Sequence, residues 1–352
     1  MTIQTDVVIV GAGPCGLFQV FELGLLGMRA HLVEALAQPG GQCTELYPDK
    51  PIYDIPALPV CGARELIERL QQQIAPFAPT LHLGQQLQVV EPRADGTFYL
   101  RTDRNTEFSA RAVVIAGGVG AFQPVTLPVE GIERFVGTQV HYKVRNPEMF
   151  RGKNIVIAGG GDSALDWVLN LVDVAESVVL VHRSEKFKAA PASVARMRAL
   201  CDEYRMQFLV GDVSAFHEEN GRIKEIVVTG ADSVKRRLEL DHLLAFFGLH
   251  PKLGPIADWG LTLNKNQIVV DTEKFETSVP GIYAVGDINW YPGKKKLILS
   301  GFHEAALAAF AIKARLNPGE KVYLQYTTTS PIMHKRLGVA DPFAEERKRD
   351  AA

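Results

Sequence analysis

A branched apolar run that stops at a glycine-rich turn and gives way to a helical pattern occurs twice in this chain, and nothing else limits the fold as tightly. The first copy runs from Asp6–Val10 through "GAGPCG" into a helical pattern at Cys15–Leu26 and a second strand at Ala30–Val33. The second runs from Asn154–Ala158 through "GGGDSALDWVLNLV" to a strand at Ser177–Val181. Each is a βαβ unit, which requires a parallel sheet with a helix crossing its face, so the class is α/β and two dinucleotide-binding modules are expected.

The two units are not simply in tandem. Ala112–Ala116 is another branched apolar run, ending in "GGVG", and Leu243–Phe247 is its counterpart beyond the second unit, ending in "GLHP". These look like matching crossover points. They predict that residues 118–250 form a domain inserted into a host made of 1–117 and 251–352. The total of 352 residues suits two cores better than one.

Spacing inside the turns carries the chemistry. Gly11 makes the tight turn, Gly13 lets a pyrophosphate approach the backbone, and Gly16 allows close packing of helix on strand. Glu34, at the end of the second strand, is the carboxylate expected to accept ribose hydroxyls. In the second unit Gly159, Gly161 and Ala164 repeat the fingerprint, with Asp162 and Ser163 opening the helix, but His182 and Arg183 stand where the acid would be. An acid would repel a 2′-phosphate, whereas Arg183, helped by Lys186 and Lys188, would attract it, so NADPH is favoured over NADH.

A net charge of −2 gives no global reason to expect nucleic acid or a membrane as partner. The N-terminus has no basic segment ahead of its short apolar run, and a cytoplasmic protein is expected. Cysteines 15, 43, 61 and 201 form neither a CxxC pair nor a zinc-like cluster, so no metal is expected. The charged tail "ADPFAEERKRDAA" is given no function.

The order GxGxxG, "AGG" crossover, GxGxxA, "HR" loop and "TSVPGIYAVGD" resembles the flavoproteins with two dinucleotide-binding domains, among them thioredoxin reductase and the disulfide reductases. That resemblance implies two Rossmann-like three-layer domains, FAD in the host and NADPH in the insertion. It also implies that Asp287, with Gly286 before it, meets the FAD ribityl chain. The stretch 118–154 lacks the CxxC of thioredoxin reductases, and Cys43 in "GGQC" has Pro48 where a disulfide partner would stand. The segments "GGQCTELYPDKPIYDIPALP", "GGVGAFQP", "LILSGFHEA" and "YLQYTTTSP" are more closely similar to the thioredoxin-reductase-like ferredoxin-NADP reductases, which keep the fold without the active-site cysteines.

Carried onto this chain, the resemblance implies that Cys15, Glu34, Gln42, Leu87, Phe122 and Asp287 contact FAD. It implies that Tyr47 stacks on one flavin face, that Tyr326 covers the other, and that Thr328 hydrogen-bonds near the ring. It further implies homodimers and a ferredoxin or flavodoxin as electron carrier, and for such an acidic partner "PGKKKLILS" offers Lys294, Lys295 and Lys296 as a docking patch. The same core would also serve a quinone or a small disulfide as acceptor, or an FAD-binding redox sensor.

Overall fold

The computed structural model describes residues 2–48, 51–144 and 146–344, with the backbone alone for 121–124 and 249–252. The chain divides into two compact units, Met1–Ala121 with Pro251–Ala352, and Phe122–His250. Each has its own sheet with a parallel centre, the first extended by the antiparallel strands Phe98–Thr102 and Leu87–Pro92, and its own core.

In the first unit Ile3–Val10 lies between Ala30–Glu34 and Glu107–Ile115, parallel to both. Thr80–Leu83 extends the sheet on one side and Ile282–Ala284 on the other. Helices Pro14–Leu25, Ala63–Ile74 and Ile298–Leu316 pack together beside it. The central strand is covered on both faces, which is why Val7, Val8 and Ile9 form an unbroken apolar run and are all 0% exposed. Burying each such side chain contributes roughly 1.5–3 kcal/mol. The strand begins before the apolar run because Gln4 and Thr5 find partners in Ser109 and Ala110. The helix starts at Pro14, whose fixed φ and missing N–H suit the first helical position.

The second unit repeats the plan. Asn154–Gly159 lies between Ser177–His182 and His242–Phe246, all parallel, with Gln207–Val210 and Val140–His141 at the edges. A separate antiparallel sheet, Asp212–Glu219, Arg222–Thr229 and Lys235–Glu239, precedes the return strand. In each unit the central strand is flanked by neighbours reached by crossovers in opposite directions. The carboxyl ends of the strands therefore part there, and the glycine turn lies at the mouth.

Candidate functional site

The first turn is built by contacts that only glycine permits. Gly11 adopts φ +105°, and a Cβ on it would lie 2.6 Å from the Ala116 carbonyl oxygen at the end of the neighbouring strand. A Cβ on Gly16 would lie 1.9 Å from the Gly11 carbonyl oxygen, so helix and turn touch backbone to backbone. Gly13 differs, because a Cβ there would meet nothing within 4 Å. It fronts open space at the helix N-terminus, where no side chain caps the free amides. Glu34, 7% exposed, accepts from the Ala12 amide at 2.7 Å and the Leu36 amide at 2.9 Å. Burial pushes its carboxyl up, against the opposing pull of the Leu36, Ala12 and Ala35 amides. Each oxygen keeps accepting capacity for a further donor.

Asp287 belongs to a single 3₁₀ turn, Gly286–Ile288. Its carboxylate accepts from Gln42 Nε2 at 3.3 Å, which joins the segment after the first turn to this distant motif. Behind the turn, Glu304 accepts from the Gly286 amide at 2.7 Å, Asn289 Nδ2 at 2.8 Å and the Tyr291 hydroxyl at 3.0 Å. Its fourth partner is the Lys294 ammonium. Gln267 Nε2 holds the other side, donating to the Asp287 carbonyl at 3.2 Å and the Asn289 carbonyl at 2.7 Å. Sequence reasoning missed Glu304 and Gln267, since neither falls in a recognisable spacing.

Lys294 requires a correction. Its side chain is only 4% exposed and is spent on Glu304, so it is withdrawn from the expected docking patch. Lys295 and Lys296 remain exposed.

The second turn copies the first in backbone and departs from it in side chains. Gly159 adopts φ +151°, with a would-be Cβ 2.5 Å from the Phe246 carbonyl oxygen. Gly161 again fronts open space, and its helix again lacks a side-chain cap. Ala164, 0% exposed, fills the place of Gly16. Asp162 accepts from the Ala190 amide at 2.8 Å, and Ser163 is exposed. His182, at the position of Glu34, lies over Gly160, where a Cβ would be 2.3 Å from ring atoms. Its Nε2 faces the Lys186 carbonyl at 3.2 Å. The Lys188 amide donates to the Gly160 carbonyl at 2.9 Å, tying the basic loop to the turn. Arg183, Lys186 and Lys188 are exposed and make no ion pair among the described residues.

None of the four cysteines is in a disulfide. Cys15 faces Gly286 and Gly301, and burial followed by the nearby charges of Asp287 and Glu304 pushes its thiol up to about 12. Burial also raises Cys43, Cys61 and Cys201. Cys43 is 1% exposed and its Sγ lies 3.8 Å from the hydroxyl of half-buried Tyr47. Thiols held protonated are poor nucleophiles.

Leu87 is 2% exposed, so its side chain belongs to the core; two residues earlier, the Gln85 amide donates to the Glu34 carbonyl at 3.0 Å. The side chain of Phe122 lies outside the described residues. Among the described residues, no hydrogen bond or ring contact joins Tyr326 or Thr328 to Tyr47. Tyr326 is 66% exposed, and its carbonyl accepts from the Thr329 and Ser330 amides at the start of helix Pro331–Leu337. That helix is anchored through Arg336 to the Leu25 carbonyl, at the end of helix Pro14–Leu25 remote from the glycine turn.

A family model described as pyridine nucleotide-disulphide oxidoreductase matches residues 5–311. The chain belongs to this family. A relative named ferredoxin--NADP reductase from Methylibium petroleiphilum is 62% identical over 344 residues, covering 97% of this chain and 94% of its own. One of the same name from Albidiferax ferrireducens is 62% identical and covers 97% of each chain. Among solved structures, T. acidophilum thioredoxin reductase is similar with a TM-score of 0.72 at 22% identity, covering 88% of this chain and 98% of that one. Bacillithiol disulfide reductase from Staphylococcus aureus gives 0.74 at 17% identity, over 90% of this chain and 100% of that one. At such identities these two likenesses speak for the fold, and the family's two-unit α/β architecture is the one seen here.

Proposed function

We propose that this chain is a ferredoxin–NADP reductase: it takes electrons as hydride from NADPH and delivers them singly to ferredoxin or flavodoxin. One observation carries the reading. Two complete nucleotide turns occur in one chain whose four cysteines form no disulfide. The name borne by relatives 60–62% identical supports it.

The residues fit FAD in the first unit. Open space at Gly13, uncapped amides and the remaining accepting capacity of Glu34 suit a pyrophosphate and a ribose, and the Gln42–Asp287 contact suits a ribityl chain. Tyr47, whose hydroxyl is held by Cys43, would offer its ring to the isoalloxazine. When bound, FAD supplies the conversion between two-electron hydride chemistry and single-electron release. In the insertion, Gly159 and Gly161 would admit the NADPH pyrophosphate, and Arg183 with Lys188 would receive the 2′-phosphate. The host is thus the FAD-binding domain and the insertion the NADPH-binding domain.

The finer assignments are a homodimer, a cytoplasmic location and carrier docking at Lys295 and Lys296. Among the described residues no helix is long and apolar enough to cross a membrane. Tyr323, Leu324, Tyr326, Ile332, Val339 and Phe343 are all at least 40% exposed, an apolar load that a second chain would cover. In that arrangement Tyr326 serves the partner's cofactor. Sedimentation velocity at micromolar concentration tests this, and a monomer would sink it.

Anaerobic rapid mixing tests the activity. NADPH should bleach the flavin far faster than NADH, and oxidised ferredoxin or flavodoxin should restore its colour. Transfer to thioredoxin with none to ferredoxin would overturn the reading. Reversing the charge of Lys295 and Lys296 should weaken ferredoxin reduction and flatten its salt dependence while sparing a small dye; equal losses would refute docking.

A further inference from the structure

We propose that Lys294 and Glu304 act as a positioning pair for the cofactor. Glu304 fixes the turn that presents Asp287, and Lys294 cancels the charge that Glu304 brings into the protein. This rests on the FAD reading above.

Glu304 is 0% exposed and lies one helical turn beyond Gly301. Its four donors, the Gly286 amide, Asn289 Nδ2, the Tyr291 hydroxyl and Lys294 Nζ, fill the accepting positions of one carboxylate. Two of them bracket the turn, since Gly286 immediately precedes Asp287 and Asn289 immediately follows Ile288. With Gln267 gripping the Asp287 and Asn289 carbonyls from the opposite side, the backbone of residues 286–289 is held on both flanks. The Asp287 carboxylate, accepting from Gln42, keeps capacity for a ligand hydroxyl.

Lys294 reaches Glu304 because the chain turns back at Gly293, which adopts φ +86°, and the Lys294 amide donates to the Tyr291 carbonyl at 3.1 Å. Its ammonium also lies 5.4 Å from the centre of the Tyr291 ring. Without Lys294 a bare buried carboxylate would lie behind Asp287, adding a second negative charge beside a cofactor that must itself accept electrons. Removing one partner of a buried pair is far more damaging than replacing both, so the pair predicts a non-additive double variant.

The test uses the holoenzyme. Lys294→Met and Glu304→Gln should each release FAD at least about tenfold faster than wild type, read by fluorescence after dilution. Lys294→Met/Glu304→Gln should recover much of that loss, and Lys294→Arg should lose least. The flavin midpoint potential should fall in Lys294→Met and return in the double variant, a shift that a purely structural role would not produce. Tyr291→Phe, which deletes a single donor to Glu304, should speed release by less, and it carries the test if the charge variants fail to fold. Unchanged FAD release in Tyr291→Phe and Lys294→Met, or additive losses in the double variant, would overturn the proposal. So would a Lys294→Met whose only defect is salt-sensitive ferredoxin reduction. A wild-type protein unable to bind FAD would instead defeat the functional reading itself.

Discussion

In the first unit the residue between the two leading glycines of the turn is Ala12, and its amide donates to the Glu34 carboxylate; in the second it is Gly160, and the His182 ring lies over it. The backbones are alike, with Gly11 and Gly159 meeting a neighbouring strand's carbonyl and Gly13 and Gly161 fronting open space. What differs is the group at the end of the second strand. A carboxylate there needs a backbone donor and tolerates a methyl group below it. An imidazole there needs room, and only glycine leaves enough. The comparison teaches that one turn can be retuned for a different nucleotide by a linked exchange of two residues some twenty positions apart.

The largest effect should come from Gly16→Ala. Its methyl group would meet the Gly11 carbonyl oxygen at 1.9 Å, a backbone atom that cannot step aside, whereas Ala164 already carries that methyl in the second unit. A loss of about 3 kcal/mol and protein purified without flavin are expected, measured by melting and by the flavin-to-protein absorbance ratio. Retained flavin would break the comparison at its root. Next, Arg183→Ala should raise KM for NADPH about tenfold and leave that for NADH unchanged, as loss of a charge-assisted bond to the extra phosphate requires. Gly160→Ala should displace the His182 ring and the Lys188 loop and cost about 1–2 kcal/mol, while Ala12→Gly should cost less. A larger loss from Ala12→Gly would show that the two floors are not exchanged in the way described.

The smallest effect concerns Glu34. Its ordinary value is 4.5 and burial raises it in the folded chain. The folded state therefore binds more protons than the unfolded one, and stability falls as pH climbs through a window opening at 4.5. Glu34→Gln should flatten that slope in melts run across the window.

Both turns, and the insertion of one unit into the other, were legible in the sequence because backbone constraints of this kind appear directly as residue identities. Glycine at 11 and 16 has no substitute, and a missing acid at 182 is visible by comparison with 34. The buried polar scaffold was not legible. Lys294 stands in a run of three lysines, and only its inward turn at Gly293 separates it from its two exposed neighbours. Glu304 sits in a largely apolar stretch of its helix and reads as an ordinary polar interruption until its four donors are in view. The place of the C-terminal segment was not legible either, because it depends on a long-range contact, the anchoring of Pro331–Leu337 through Arg336 at the Leu25 carbonyl.

The state of the sulfurs fixes an electron count. With Cys15, Cys43, Cys61 and Cys201 all free and all raised, no disulfide stands ready as a second reservoir beside the flavin. The capacity is two electrons per chain, so a reductive titration should finish at one equivalent of NADPH, and each such equivalent must leave as two separate deliveries before the protein can be loaded again.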